Sequence, residues 1–363
     1  MLPRRWPRFW SAAQLRAVSG TCGRCSYLAC RGCRAHYNRP VPEDSSTTPE
    51  IGRSGLQIAE AVPADAADLV SVMHAAFAAR GPVDPPPAAL SETPQSVAAA
   101  LAEGSGVIAR VDGRPAGGIV LAPTPEGEVV LTRVSVHPQF QGHGLASEMV
   151  AGAQGLAARA GFRSARLFVR SEFPELARWW QRRGYRLAEE HADGGVWVTD
   201  LPVAIRVPNA EAMKALGREL ADLAEPGDVI IATGGLGAGK TTLTQGIGDR
   251  LGVGEDVISP TFVLSRIHRT GPSHPDLVHV DAYRLGSAAE LDDLDLEASL
   301  GSSLTVIEWG RGLAEQLAPQ RLELDFLVEA DDSRTVLAEP VGQRWDRQRL
   351  RDLAARIGEA EHV

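Results

Sequence analysis

The residues best suited to chemistry gather in one decapeptide, GGLGAGKTTL, from Gly234 to Leu243. Gly234, Gly239, Lys240 and Thr241 satisfy the spacing G-x-x-x-x-G-K-[ST]. Glycines let a chain curl until successive backbone N–H groups point inward at phosphate oxygens. A helix that starts there adds its positive end. The stretch predicts a triphosphate cradle made of Gly234, Gly235, Leu236, Gly237, Ala238, Gly239, Lys240, Thr241 and Thr242. Lys240, one of only two lysines with Lys214, reaches toward the β and γ phosphates, and Thr241 offers its hydroxyl to Mg²⁺.

A nucleotide site also needs a metal holder and a group that directs water. Asp281 ends the apolar stretch LVHV, and Glu308 ends LTVI in the same way. Acids at the ends of two buried strands suit those tasks. The expected catalytic set is therefore Glu308, Lys240 and Asp281, and the expected Mg²⁺ set is Thr241, Asp281 and Glu308.

A second stretch, LTRVSVHPQFQGHGLASEMV, reads as a strand to Val136, a turn, and a helix opened by Gln141, Gly142, His143, Gly144, Leu145 and Ala146. A turn with exposed N–H groups at a helix N-terminus can hold a pyrophosphate. A third group, Cys22, Cys25, Cys30 and Cys33, pairs cysteines at C-x2-C spacing. Zinc or iron–sulfur binding is one reading. The reading adopted is an unstructured basic extension, since residues 1–40 hold eight arginines and no acid.

These groups need elements to position them. DVIIAT reads as a strand before the phosphate loop and TTLTQGIGDRLGV as a helix after it, with Leu243, Ile247 and Leu251 on one face. AEAMKALGRELADL and WDRQRLRDLAARIGEA read as helices; TFVLSRIH, DLVHVDAY, SLTVIEW and LELDFLV read as strands. Upstream, ADAADLVSVMHAAFAAR is helical with Leu69, Met73 and Phe77 four apart. GVIARVDGRPAGGIVLAP, GEVVLTRVSV and ARLFV follow as strand material, with helices over Leu145–Ala160 and Glu175–Arg183 and a closing strand VWVTDLPVA. The pattern predicts an α/β chain of two domains, a mixed-sheet domain and then a phosphate-loop domain. The expected division is 1–54 as extension and linker, 55–203, 205–340, and a helical tail at 341–363.

GGLGAGKTTLTQGI, SPTF at Ser259–Phe262, HVDAYRL at His279–Leu285 and IEWG at Ile307–Gly310 occur in order. Together they resemble the bacterial ATPase family that supports threonylcarbamoylation of the adenosine beside the tRNA anticodon, over residues 209–335. The resemblance implies ATP binding and weak hydrolysis within a complex. The implied partners are the threonylcarbamoyl transferase subunit and its paralogous companion, with tRNA reached through them. It also implies a switch role for Thr261 near the γ phosphate. One departure is Gly235, where the family commonly has Asp. Residues 56–203 resemble the Gcn5-related N-acetyltransferases, whose Q/R-x-x-G-x-G/A turn is matched by Gln141, Gly144 and Ala146. That resemblance implies acetyl-CoA bound by the 141–146 turn and by Val134 and Val136 on the strand before it. Trp180 stands where that family often has a catalytic tyrosine, and an indole N–H is a donor only. Tyr185 is expected to pack, and Glu128 is a possible base; the acetyl acceptor is not legible.

The net charge of −9 argues against general attraction to nucleic acid or acidic lipid. No apolar run approaches the length of a membrane span. With no cysteine beyond residue 33, a cytoplasmic setting is expected. Two other functions fit the loop: a small-molecule kinase, and a regulatory nucleotide-binding module beside a non-catalytic acetyltransferase fold.

Overall fold

The computed structural model describes residues 55–81 and 83–359. The four cysteines and the basic extension lie outside the described residues. Seven strands form the first sheet: β1 (Leu56–Glu60), β2 (Ser105–Val111), β3 (Arg114–Pro123), β4 (Val129–Val136), β5 (Ser164–Arg170), β6 (Arg186–His191) and β7 (Gly194–Asp200). Their order is β1-β2-β3-β4-β5-β7-β6, and only β4 and β5 run parallel. Strand residues alternate between faces, and here both faces are covered. Ile108 and Val120 pack with α1 (Ala66–Ala78) and α2 (Pro94–Glu103). Val107, Ala109, Ile119 and Leu121 pack on the other face with α3 (Leu145–Arg159) and α4 (Pro174–Gln181). In α1 the predicted stripe is inward: Leu69 and Met73 are fully buried.

The second sheet contains β8 (Val203–Val207), β9 (Val229–Gly234), β10 (Ser265–His268), β11 (Asp276–Asp281), β12 (Ser303–Glu308), β13 (Arg321–Val328) and β14 (Arg334–Val341), in the order β10-β11-β12-β9-β13-β14-β8. The central strands β11, β12, β9 and β13 are parallel. Helices α5 (Ala210–Leu223) and α6 (Lys240–Leu251) cover one face. Short helices α7 (Ala288–Asp292) and α8 (Glu297–Leu300) lie beside the opposite face, where Leu291 and Leu296 pack on Val229, Val278 and Ile307. The terminal helix α9 (Arg347–Glu359) joins α5 and α6, with Leu350 and Leu353 fully buried. It is therefore part of the second core rather than a separate tail.

Two sequence readings change. VWVTDLPVA is not one closing strand: β7 ends at Asp200, and β8 begins at Val203 in the other sheet, paired with β14. Pro202 between them has no N–H to give a ladder. TFVLSRIH is strand only from Ser265 onward. The N–H groups of Val263 and Leu264 turn back to the Pro260 carbonyl, and Leu264 has φ +65°.

The half of the second sheet left open by α7 and α8 is covered by the first domain. Leu327 and Leu337, from β13 and β14, belong to the same apolar cluster as α3. At the end of α3 the Arg159 guanidinium donates to Glu329 Oε2 at 2.8 Å, with side-chain exposures of 5% and 8%. Glu329 also accepts from Thr335 Oγ1 at 2.6 Å.

Candidate active site

The phosphate loop leaves the end of β9, the middle of the parallel strands. Ligands in such sheets bind outside the carboxyl ends of the strands. Gly239, the residue before α6, has φ +108°, which a Cβ would strain. The turn brings Lys240 back over the loop. Its side chain is buried, and the ammonium donates to the carbonyls of Gly234 at 2.9 Å and Gly235 at 3.0 Å. It also stands 4.1 Å from the centre of the Trp309 ring. Burial pulls the Lys240 pKa below the usual lysine value, opposed by the charges of Glu308 and Asp281.

Parallel pairing of β11 and β12 sets Asp281 directly beside Glu308. Both are buried. Glu308 Oε1 accepts the Thr241 hydroxyl at 2.8 Å and lies 2.9 Å from His279 Nε2. Asp281 Oδ2 accepts the hydroxyls of Ser259 and Thr261, each at 2.7 Å, and Oδ1 accepts the Tyr283 N–H at 3.1 Å. The structure thus gathers Lys240, Thr241, Asp281 and Glu308, and ties Thr261 to them through Asp281. Leu236 stands apart from this contact set, 94% exposed at the loop tip. Thr241, Asp281 and Glu308 present oxygen donors only. Such a set suits a small hard cation whose other ligands are water and phosphate.

Three participants stand in the sequence motifs but were given no role there. His279 lies two residues before Asp281 on one strand, so both point to the same face. That spacing was the available signal. Ser259 stands two residues before Thr261. Trp309 takes φ +63° as its N–H returns to Ala232 O, which lays its ring under Lys240 and against Tyr283 at 5.2 Å.

The first domain holds a cavity of about 970 Å³ where β4 and β5 separate. These strands pair only at Val129–Ala165 and Val130–Arg166. A bulge in β4, with Arg133 at φ +54°, shifts the register against β3 and turns the later residues into the gap. Of the eight residues predicted to hold acetyl-CoA, all but His143 line this cavity. Gly144 caps α3 with φ +77°. The Gln141 amide donates to Val136 O at 3.1 Å, which fixes the turn. Trp180 lines the cavity but is 3% exposed, packed edge-on against Trp179 and Tyr185. Tyr185 is a core residue; burial raises its hydroxyl pKa strongly, and Gln154 bonds it at 3.3 Å. Glu128, only one candidate base on sequence grounds, does not line the cavity. Its carboxylate is held by Ser164 at 2.9 Å and Arg166 at 3.0 Å, at the closed end of the strand pair.

Residues 207–336 match the family model "Threonylcarbamoyl adenosine biosynthesis protein TsaE". A Streptomyces coelicolor tRNA threonylcarbamoyladenosine biosynthesis protein TsaE is 51% identical over 138 residues, which is 37% of this chain and 93% of that protein. The chain belongs to the TsaE family. The Mycobacterium bovis protein of that name is 45% identical over 32% of this chain and 74% of its own length. The Bacillus subtilis protein is 37% identical over 39% and 87%. The TsaE match spans the loop, the switch segment and both strand-end acids. Ahead of it, residues 74–185 match the model of the acetyltransferase (GNAT) family, so a GNAT domain precedes the TsaE domain. That match contains the β4–β5 gap, the turn at 141–146 and Trp180.

Proposed function

We propose that the TsaE domain binds and hydrolyses ATP with Mg²⁺ in support of threonylcarbamoylation of adenosine 37 in tRNA. It would act in the cytoplasm with the threonylcarbamoyl transferase subunit and its paralogous companion, through which tRNA is reached. The observation that carries this is the meeting of Lys240, Thr241, Asp281 and Glu308 at the ends of three neighbouring strands and the phosphate loop. Loop N–H groups and the start of α6 hold phosphate oxygens. Lys240 sets its charge against the β and γ phosphates. The Thr241 hydroxyl donates its proton to Glu308 and keeps lone pairs for the cation, which supplies further charge neutralisation when bound. Glu308, held by Thr241 and by the Nε2–H of His279, orients water toward the γ phosphorus. Asp281 binds the hydroxyls of the switch segment, so that Thr261 follows the state of the site.

For the GNAT domain we propose acetyl-CoA as ligand. Its pyrophosphate would lie on the 141–146 turn and its arm along Val134 and Val136. Among the described residues lining the cavity the one carboxylate is Glu175, so binding is better supported than transfer to an amine. Lys240→Ala tests the first reading. It should weaken ATP binding at least about tenfold in calorimetry and abolish phosphate release with the partner subunits. Unchanged affinity would refute the assignment.

A further inference from the structure

The GNAT cavity runs through its sheet. One wall comes from α3 and α4 (Leu145, Ser147, Trp179), and another from the end of α1 and the segment after it (Phe77, Arg80, Pro87), on the opposite face. Four arginines line it, and they differ in what they face. Arg133 pairs with Glu92 and Arg170 with Glu172. Arg183, on the α3 side, bonds Ser147 and the Trp179 carbonyl and stacks 3.4 Å over the Trp179 ring. Arg80 stands on the α1 side. Its guanidinium lies 4.3 Å over the Phe77 ring, and its hydrogen bond, to Val134 O, is long at 3.5 Å. No carboxylate among the described residues pairs with it, and the residue is exposed where it lines the cavity. A guanidinium has five N–H donors in a planar fork that matches a carboxylate. Arg80 lines the cavity and reaches the β4 backbone just after the bulge, at Val134.

We infer that Arg80 forms a carboxylate subsite on the α1 face of the cavity, next to where the thioester of a bound acyl-CoA would lie. This rests on the acetyl-CoA reading. The turn at 141–146 would hold the pyrophosphate on the α3 face, and the arm would pass through the strand gap. What meets Arg80 on the far side is then either the end of the acyl group or the acceptor. The shared requirement is a carboxylate, either on a dicarboxylic acyl chain or on the amine that approaches it. An apolar or cationic partner would leave Arg80 desolvated and unpaired, which is costly.

Calorimetry on the full chain separates the sources. Succinyl-CoA and acetyl-CoA are titrated into wild type, Arg80→Ala and Arg80→Lys. In the second arm, with CoA saturating, N-acetylated glycine, β-alanine and γ-aminobutyrate are each compared with their carboxamides. A carboxylate on the acyl group predicts succinyl-CoA binding about tenfold or more tighter than acetyl-CoA. A carboxylate on the acceptor predicts that the acids bind about tenfold or more tighter than the amides. Either preference should vanish in Arg80→Ala and survive in part in Arg80→Lys, while acetyl-CoA affinity stays within about twofold. No preference in wild type, or a preference that persists in Arg80→Ala, overturns the subsite alone. Failure of wild type to bind acetyl-CoA overturns the cofactor reading and the subsite with it. ATP titration of each variant reports whether it has folded.

Discussion

Glu308 receives two hydrogen bonds on one oxygen, from the residue after the phosphate-loop lysine and from a buried histidine on the neighbouring strand. The loop lysine, the hydroxyl beside it and both acids were legible because their types and spacing carry their chemistry. His279 was not, since a histidine inside an apolar strand reads as core until its partner is seen. Gly235, where the family commonly has Asp, can be judged only from the structure. A Cβ there meets nothing within 4 Å, and its backbone is not among the left-handed residues. Gly235→Asp should therefore fold with a melting temperature within about 2 °C of wild type, as a substitution into open space costing under about 0.5 kcal/mol would. A fall beyond about 5 °C in a thermal melt would show that the loop cannot take a side chain.

At the scale of elements, periodic apolar stripes revealed α1, α3, α5 and α6, and buried runs revealed β9, β11, β12 and β13. The elements missed carry weaker signals or signals of another kind. All six residues of β6 are exposed, and it is a strand only because β7 offers it a ladder. β14 contains Pro340 and finds its partners in β13 and in β8, more than 120 residues away. The α2 helix had a usable signal in Thr93, whose hydroxyl accepts the Ser96 N–H. The α3 helix joins element to function because its first turn is the predicted pyrophosphate site. Gly144→Glu would force a side chain into φ +77° and set a negative charge against phosphate. Acetyl-CoA affinity should fall more than about tenfold while ATP affinity stays within about twofold. Equal loss of both in paired titrations would mean that the change unfolds the chain.

At the scale of the molecule, α3 serves both sheets. It covers the first with its own core residues and the second through Leu327, Leu337 and the Arg159–Glu329 pair. Adding a Cβ at Gly155 would bring it to 3.0 Å from Leu337 Cδ1, which shows how closely the helix lies. Helix periodicity could not foretell this, since a stripe shows that a face is covered but not by which sheet. Arg159→Ala would leave the Glu329 carboxylate buried with the Thr335 hydroxyl as its remaining hydrogen-bond partner among the described residues. Breaking a buried pair in this way costs about 3–5 kcal/mol. Both domains should melt earlier and together in calorimetry. Two separate transitions, with the ATP-stabilised one unmoved, would show that the domains do not share this core.

The central claim is that Glu308 directs water at a nucleotide held by the loop. The most direct test pairs ATP binding with phosphate release in Glu308→Gln, in the presence of the transferase subunits. The amide keeps the size of the side chain and can still accept from Thr241, but it cannot act as a carboxylate. ATP affinity should stay within about threefold, and hydrolysis should fall by at least about 100-fold. Hydrolysis at the wild-type rate in that variant would contradict the account.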